Sequence, residues 1–125
     1  MPTLAEQVEA KETVNQRFLN HPAYRCLRMG DVAGFNRYAS EADVVDLADA
    51  DLRGLDLRKV DLRKVVLHGA YLREVDLRGQ DLRGLDLEGC SLRCAKVSGA
   101  YFPANVRPEE ILMSLQHGTR IRTTC

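Results

Sequence analysis

The chain has 125 residues, with 18 Lys and Arg against 18 Asp and Glu, so its formal net charge is zero. That length holds one small domain and leaves little room for a second, and neutrality excludes both the basic excess of a dedicated nucleic-acid binder and the acidic bias of a whole-molecule DNA mimic. Hydrophobic residues make up 45% of the chain, but Trp is absent and aromatics are only 6%, so a core must be built from Leu, Val and Ala.

The opening MPTLAEQVEAKETV carries charges where a secretory signal would be apolar, and no run approaches membrane-spanning length. The expectation is a cytoplasmic protein with no membrane partner. Residues 1–44 read as an N-terminal helical cap. Thr3 can N-cap a helix through about Leu19, with Leu4, Val8, Val14 and Phe18 at helical spacing. After His21-Pro22 a second helix is expected to start at Asp31, with Val32, Phe35 and Tyr38 facing inward.

From residue 45 the chain runs VDLAD ADLRG LDLRK VDLRK VVLHG AYLRE VDLRG QDLRG LDLEG CSLRC AKVSG AYFPA, twelve units of five residues. The third position of each unit is Leu47, Leu52, Leu57, Leu62, Leu67, Leu72, Leu77, Leu82, Leu87, Leu92, Val97 or Phe102. A period of five fits neither the 3.6 of a helix nor the 2 of a straight strand, so the chain must turn every five residues. With each unit as one short side of a square, four units close a coil of 20 residues, and coils stack about 4.8 Å apart. The twelve central residues then form the structural core. The residue two before each also points inward, and Gly recurs two after it at Gly54, Gly69, Gly79, Gly84, Gly89 and Gly99, where a corner needs relaxed sterics. Gln80 is the one polar inward residue, between Val60 and Ala100 in its column, and is expected to hydrogen-bond main-chain groups.

At Asn105 the register breaks, and Pro108-Glu109-Glu110 opens a helix to His117 ended by Gly118, with Ile111, Leu112 and Leu115 as its apolar stripe. Met113 lies outside that stripe and is the candidate contact of a homodimer formed through the C-terminal end.

Sorting the outward residues by the 20-residue period divides the charge unevenly. The side of Leu47, Leu67 and Leu87 carries Asp46, Asp49, Asp86 and Glu88 without Lys or Arg, a formal −4, with Val66 and His68 at its centre. This acidic face is the candidate surface for a basic partner. Asp and Arg on neighbouring coils are expected to pair over the rest of the surface. A second candidate is the stacked row Arg53, Arg73 and Arg93, able to grip phosphates. Catalytic signatures are lacking: His21, His68 and His117 are scattered, no glycine loop cradles a phosphate, and a filled interior offers no pocket. Cys26, Cys90, Cys94 and Cys125 form no CxxC framework and read as reduced thiols. No enzyme activity, metal site or cofactor is expected.

The twelve units resemble the pentapeptide-repeat family, whose signature is A(D/N)LXX. The resemblance implies a mainly β fold: a right-handed quadrilateral β-helix of about three coils over residues 45–106, with the N-terminal helical cap before it and a C-terminal capping helix and tail over residues 107–125. The best-understood members resemble B-DNA in size, shape and charge, dimerise through their C-terminal ends, and bind DNA gyrase or topoisomerase IV. Three coils would span only about 14 Å, against about 34 Å for one DNA turn; neutrality and uninterrupted repeats also set this chain apart. The leading expectation is therefore a non-enzymatic protein–protein interaction module with an unknown protein partner. The alternatives are a DNA-mimic-like modulator of gyrase or topoisomerase IV, and a nucleic-acid or phosphate binder acting through the arginine row; nucleic acid is not the expected partner.

Overall fold

A computed structural model of the chain describes Phe18 and residues 20–124. The expected helix from Thr3, apart from Phe18, lies outside the described residues. The first described helix, α1 (Pro22–Arg28), occupies a stretch that the sequence reading left as a break after His21-Pro22. Proline at the first helical position has a preset φ and forfeits only an N–H that no helix would use, so Pro22 starts this helix rather than interrupting one. Helix α2 (Val32–Glu41) follows, with Asp31 as N-cap: its Oδ1 accepts from the Gly34 N–H at 2.9 Å. Phe35 and Ala39 are its buried residues, while Val32 and Tyr38 are half-buried.

Two short strands come next, β1 (Val45–Asp46) and β2 (Val65–Val66), paired in parallel as Val45 with Val65 and Asp46 with Val66. Further parallel bridges join Asp51 to Tyr71, Asp56 to Asp76, Tyr71 to Ser91, Asp76 to Lys96 and Asp81 to Tyr101. Every one of these pairs is separated by 20 residues, so the chain returns beside itself in laps of 45–64, 65–84 and 85–104. Between laps the central N–H of one unit donates upward and the next lap donates back: Leu52 N–H to Tyr71 C=O at 3.0 Å, then Tyr71 N–H to Ala50 C=O at 2.9 Å.

The central leucines from Leu47 to Leu92 are all buried, together with Val45, Ala50, Val60, Val65, Ala70, Val75, Leu85 and Cys90. Eight corners are β-turns whose third residue is left-handed. Five of these residues are glycines, but Asp49, Glu74 and Cys94 take the same place with φ of 62°, 60° and 60°. That conformation costs a non-glycine residue roughly 1–2 kcal/mol, and the ladder on both sides of the corner overrides the cost.

Helix α3 (Pro108–His117) has Gly118 as its left-handed C-cap, φ 72°, whose N–H donates to Ser114 C=O. Its inward residue is Ser114, fully buried, flanked by half-buried Ile111 and Leu115, whereas Leu112 is 54% exposed. The expected Ile111/Leu112/Leu115 stripe is corrected on this point. Ser114 faces the last lap because its Oγ accepts from the Leu92 N–H at 2.8 Å, a donor that no further lap is present to use. Leu115 C=O accepts from Cys94 N–H, and Ile121 exchanges bonds with Gly89 and Cys90. The segment after residue 107 thus stands where the next lap would pair, but only beside the sides of Leu87 and Leu92. Over the other two sides, the N–H groups of Val97, Gly99 and Phe102 and the C=O groups of Ala95 and Ala100 have no partner among the described residues. Val97 and Phe102, expected in the core, are accordingly only half-buried.

Leu72 is the middle member of the buried Leu52, Leu72 and Leu92 column. Replacing it with Ala should cost about 2–5 kcal/mol in urea unfolding, whereas Leu112→Ser should stay within about 0.5 kcal/mol of the parent. Equal effects would contradict this burial pattern.

Candidate interaction surfaces

The outward residues are shaped first by a local arrangement that recurs along the repeat. In Asp-Leu-Arg units the aspartate precedes and the arginine follows a central leucine, so both side chains leave the same face of a short extended segment. At Asp56–Arg58, Asp61–Arg63, Asp76–Arg78 and Asp81–Arg83 the carboxylate accepts two guanidinium bonds of 2.7–3.0 Å and the arginine main-chain N–H as well. Asp51 and Arg53 do the same. Pairing therefore runs within units rather than between neighbouring coils as expected; the one ion pair between laps in this set is Arg58 with Asp76 at 3.3 Å. The residue directly across on the next lap is often another aspartate, as Asp56 is opposite Asp76, so the nearest guanidinium is the one two residues on. Three such bonds hold Asp61 and Asp81 well below the usual carboxylate range, each down to about 2, chiefly through the Arg63 and Arg83 side chains.

Self-pairing leaves the remaining charges as candidates. On the acidic face Asp46 is exposed and its Oδ1 accepts from Ala48 N–H. Asp49 is exposed at its left-handed corner, with its carboxylate lying over Gly69, where a Cβ would collide with it. His68 Nδ1 lies 3.0 Å from Asp86 Oδ2, and Asp86 Oδ1 accepts from Glu88 N–H, the main reason its carboxyl is lowered. Val66 is half-buried between these groups.

Glu88 does not stand free on this face. Its Oε2 accepts from both the main-chain N–H and the hydroxyl of Thr123 at 2.6 Å, which lowers its carboxyl. Arg120 follows from the same C-terminal segment, donating to Gly89 C=O and to Tyr71 Oη, with its guanidinium 5.0 Å from the Tyr71 ring centre. The face that sequence arithmetic put at −4 is thus exposed at Asp49 and Asp86 and closed by the chain's own tail at Glu88. Nothing in the repeat announces this, because the Thr123 contact joins residues 35 apart.

The arginine row divides as well. Arg53 is bound by Asp51, which also lies 3.6 Å from Arg28. Arg73 and Arg93 are exposed and make no ion pair among the described residues; the Arg93 methylenes lie against Gly118. Met113 is 45% exposed, beside Leu112 at 54%, and Tyr101 is 59% exposed. Gln80 donates to the C=O groups of Leu57 and Val60, each at 2.7 Å. Cys90 is buried, which pushes its thiol up to about 12, and it donates to Leu67 C=O; such a thiol is no nucleophile. Among the described residues no group of three or more His, Cys, Asp or Glu is placed to hold a metal ion, and no helix is long and apolar enough to cross a membrane.

A family profile described as pentapeptide repeats matches the chain at residues 45–79 and 70–103, with eight copies. Neither a curated protein nor a solved structure matches it.

Because their pKa values are lowered on folding, Asp61 and Asp81 stabilise the fold fully above the unfolded carboxylate value of about 4. That stabilisation is lost as pH falls towards about 2. Carboxylate carbon shifts should titrate near 2 at both residues, and Asp81→Asn should flatten the fall in thermal midpoint over this window. Titration near about 4 would mean the pairs do not persist in solution.

Proposed function

Since the chain belongs to the pentapeptide-repeat family over residues 45–103, we propose that it is a non-enzymatic protein–protein interaction module that presents the acidic face of Asp46, Asp49 and Asp86 to a basic protein surface. This reading takes the fold to be a right-handed quadrilateral β-helix of about three coils, with helices α1 and α2 before it and the segment after residue 107 as its lids. The observation that carries it is the contrast between faces. Along the Asp-Leu-Arg units each acid is bound by its own arginine, whereas Asp49 and Asp86 make no ion pair with Lys or Arg among the described residues and lie on one side. A flat face bearing one sign of charge speeds and orients encounter with a complementary surface. The buried Cys90 thiol, its pKa pushed up to about 12, offers no nucleophile, which supports the non-enzymatic reading.

Affinity capture from a cytoplasmic lysate tests the assignment. The partner held by the parent protein should be lost when Asp46, Asp49 and Asp86 are changed to Lys, and kept by Arg73→Glu. The reverse pattern, together with salt-sensitive retention on heparin, would move the site to the arginine row.

A second copy of the chain is the other partner favoured by a specific observation. The unpartnered N–H and C=O groups from Ala95 to Phe102 form an open edge, and Leu112, Met113 and Tyr101 lie exposed at the same end. Open edges of this kind invite pairing. Light scattering should show a dimer that Leu112→Glu with Met113→Glu converts to monomer; a monomeric parent at high concentration would remove this reading.

A further inference from the structure

The main-chain ladder is interrupted on two adjoining sides, at Leu62–Asp81 and at Leu67–Asp86, and at the first of them identifiable residues build the interruption. On the intact sides the inward carbonyl two before a central residue accepts from the next lap: Ala50 from Tyr71, Leu55 from Asp76, Ala70 from Ser91, Val75 from Lys96 and Gln80 from Tyr101. At Val60 the acceptor is instead taken by the Gln80 side-chain amide at 2.7 Å. The Asp81 N–H that would have used it has no partner, and neither does the expected bond from Leu62 N–H to Asp81 C=O form. Gln80 stands where most units carry a smaller, apolar residue, so its carboxamide replaces a ladder bond and occupies the space between the laps.

The corners here also differ. Lys59, Lys64 and Gly84 hold the third place of their β-turns without the left-handed φ found at Gly54, Gly69, Gly79 and Gly89, although the closing bonds Leu57 to Val60, Leu62 to Val65 and Leu82 to Leu85 are all present. A hydrogen-bonded turn with neither central residue at positive φ is of type I rather than type II, and the two types differ by reversal of the central peptide. Reversal takes the N–H groups of Lys59 and Lys64 out of the ladder and turns the Arg58 C=O towards the next lap. There it meets Gln80 Nε2 at 3.4 Å, an independent sign of the reversed peptide.

The result is a cleft of about 410 Å3 in the side of Leu62 and Leu82, within the range of roughly 300–1,000 Å3 that holds small ligands. Val60, Leu62 and Leu85 supply apolar wall, and no atom lies within 4 Å of where a Cβ on Gly84 would be. The rim charges of Asp61–Arg63 and Asp81–Arg83 neutralise each other, so the cleft selects for neither sign. What it offers is unpaired main chain: the N–H of Leu62 and both the N–H and C=O of Asp81. A residue that presents N–H and C=O on the same margin is the unit with which an extended strand exchanges a pair of bonds.

We propose that this cleft binds the main chain of a short extended peptide segment, seating one apolar side chain against Val60, Leu62 and Leu85. The recognition is strand addition at an interior opening rather than at a sheet end. It lies on a different side from the acidic face and stands or falls separately from the role of Asp46, Asp49 and Asp86.

The test uses the full chain labelled with 15N and the capped peptide acetyl-Ala-Val-Ala-methylamide as probe. Saturable shifts at the Leu62, Asp81 and Gly84 amides are expected, and the probe N-methylated at Val should bind at least about tenfold more weakly, since it loses a donor. Absence of saturable shifts at those amides, or equal binding of the N-methylated probe, overturns the proposal. Amide exchange of the free protein is the second measurement. Leu62 and Asp81 should exchange at least about a hundredfold faster than Leu72 and Leu77, whose ladder bonds are intact. Equal protection would mean the laps are closed and would equally overturn it. Gln80→Ala should restore the Asp81 to Val60 bond, slow exchange at Asp81 and abolish the probe shifts.

Discussion

Everything in this molecule depends on the hydrogen-bonded step between residues 20 apart. The named strands are two residues long, far below what could hold itself together, and apart from the contacts of the flanking helices and the C-terminal segment each lap is paired through the lap beneath or above it. Each bond between laps therefore fixes a corner and a strand at once, and each buried leucine packs chiefly on the leucines 20 residues before and after. The chain is ordered by its own repetition, and stability is close to a sum over nearest-neighbour contacts. Ends and irregularities matter more in such a system than in a globular core, because nothing behind them shares the load.

That dependence explains why the surface is so heavily self-paired. An outward carboxylate beside every central leucine would crowd like charges at lap spacing if left alone. Binding each one to the arginine two residues on, and to that arginine's own N–H, neutralises the column locally and rigidifies the turn. Individually such exposed pairs add little to stability. Their consequence is selective: where the Asp-Leu-Arg pattern lapses, at Asp49, Arg73 and Arg93, charge is left without an ion-pair partner among the described residues. The sites of interest are departures from the repeat.

How much of this could be read in the sequence follows from the same logic. The period of five, the buried leucines and the helix from Pro108 to Gly118 are properties of local pattern, and the 20-residue offset of the bridges agrees with the arithmetic of four units to a lap. Helix α1 is hard to see in the sequence because a proline serves equally as a helix breaker and as a first helical residue, and Pro22 is the latter. Ser114 in place of Leu112 at the inward position, the capture of Glu88 by Thr123, and the half-burial of Val97 and Phe102 all arise from where the C-terminal segment settles on the last lap. Those contacts join residues with no common period, so hydropathy along the chain carries no trace of them. Pairing within rather than between coils was open to derivation, since residues two apart share a face; the error was to weigh stacking above proximity.

Gln80 shows how a single residue alters a repeat without breaking it. Its position in the column was legible, as was its need for main-chain partners, but the cost of meeting that need was not. The amide satisfies itself by taking Val60 C=O, and the donor thereby displaced belongs to the next residue, Asp81. In an apolar column a buried carboxamide must find acceptors, and in a β-helix the only acceptors nearby are the ladder's own. The type I corners at Lys59, Lys64 and Gly84 open the same side further. A polar residue inside and reversed corner peptides thus act in one direction, and the opening they make is as much a consequence of the repeat's geometry as the closed sides are.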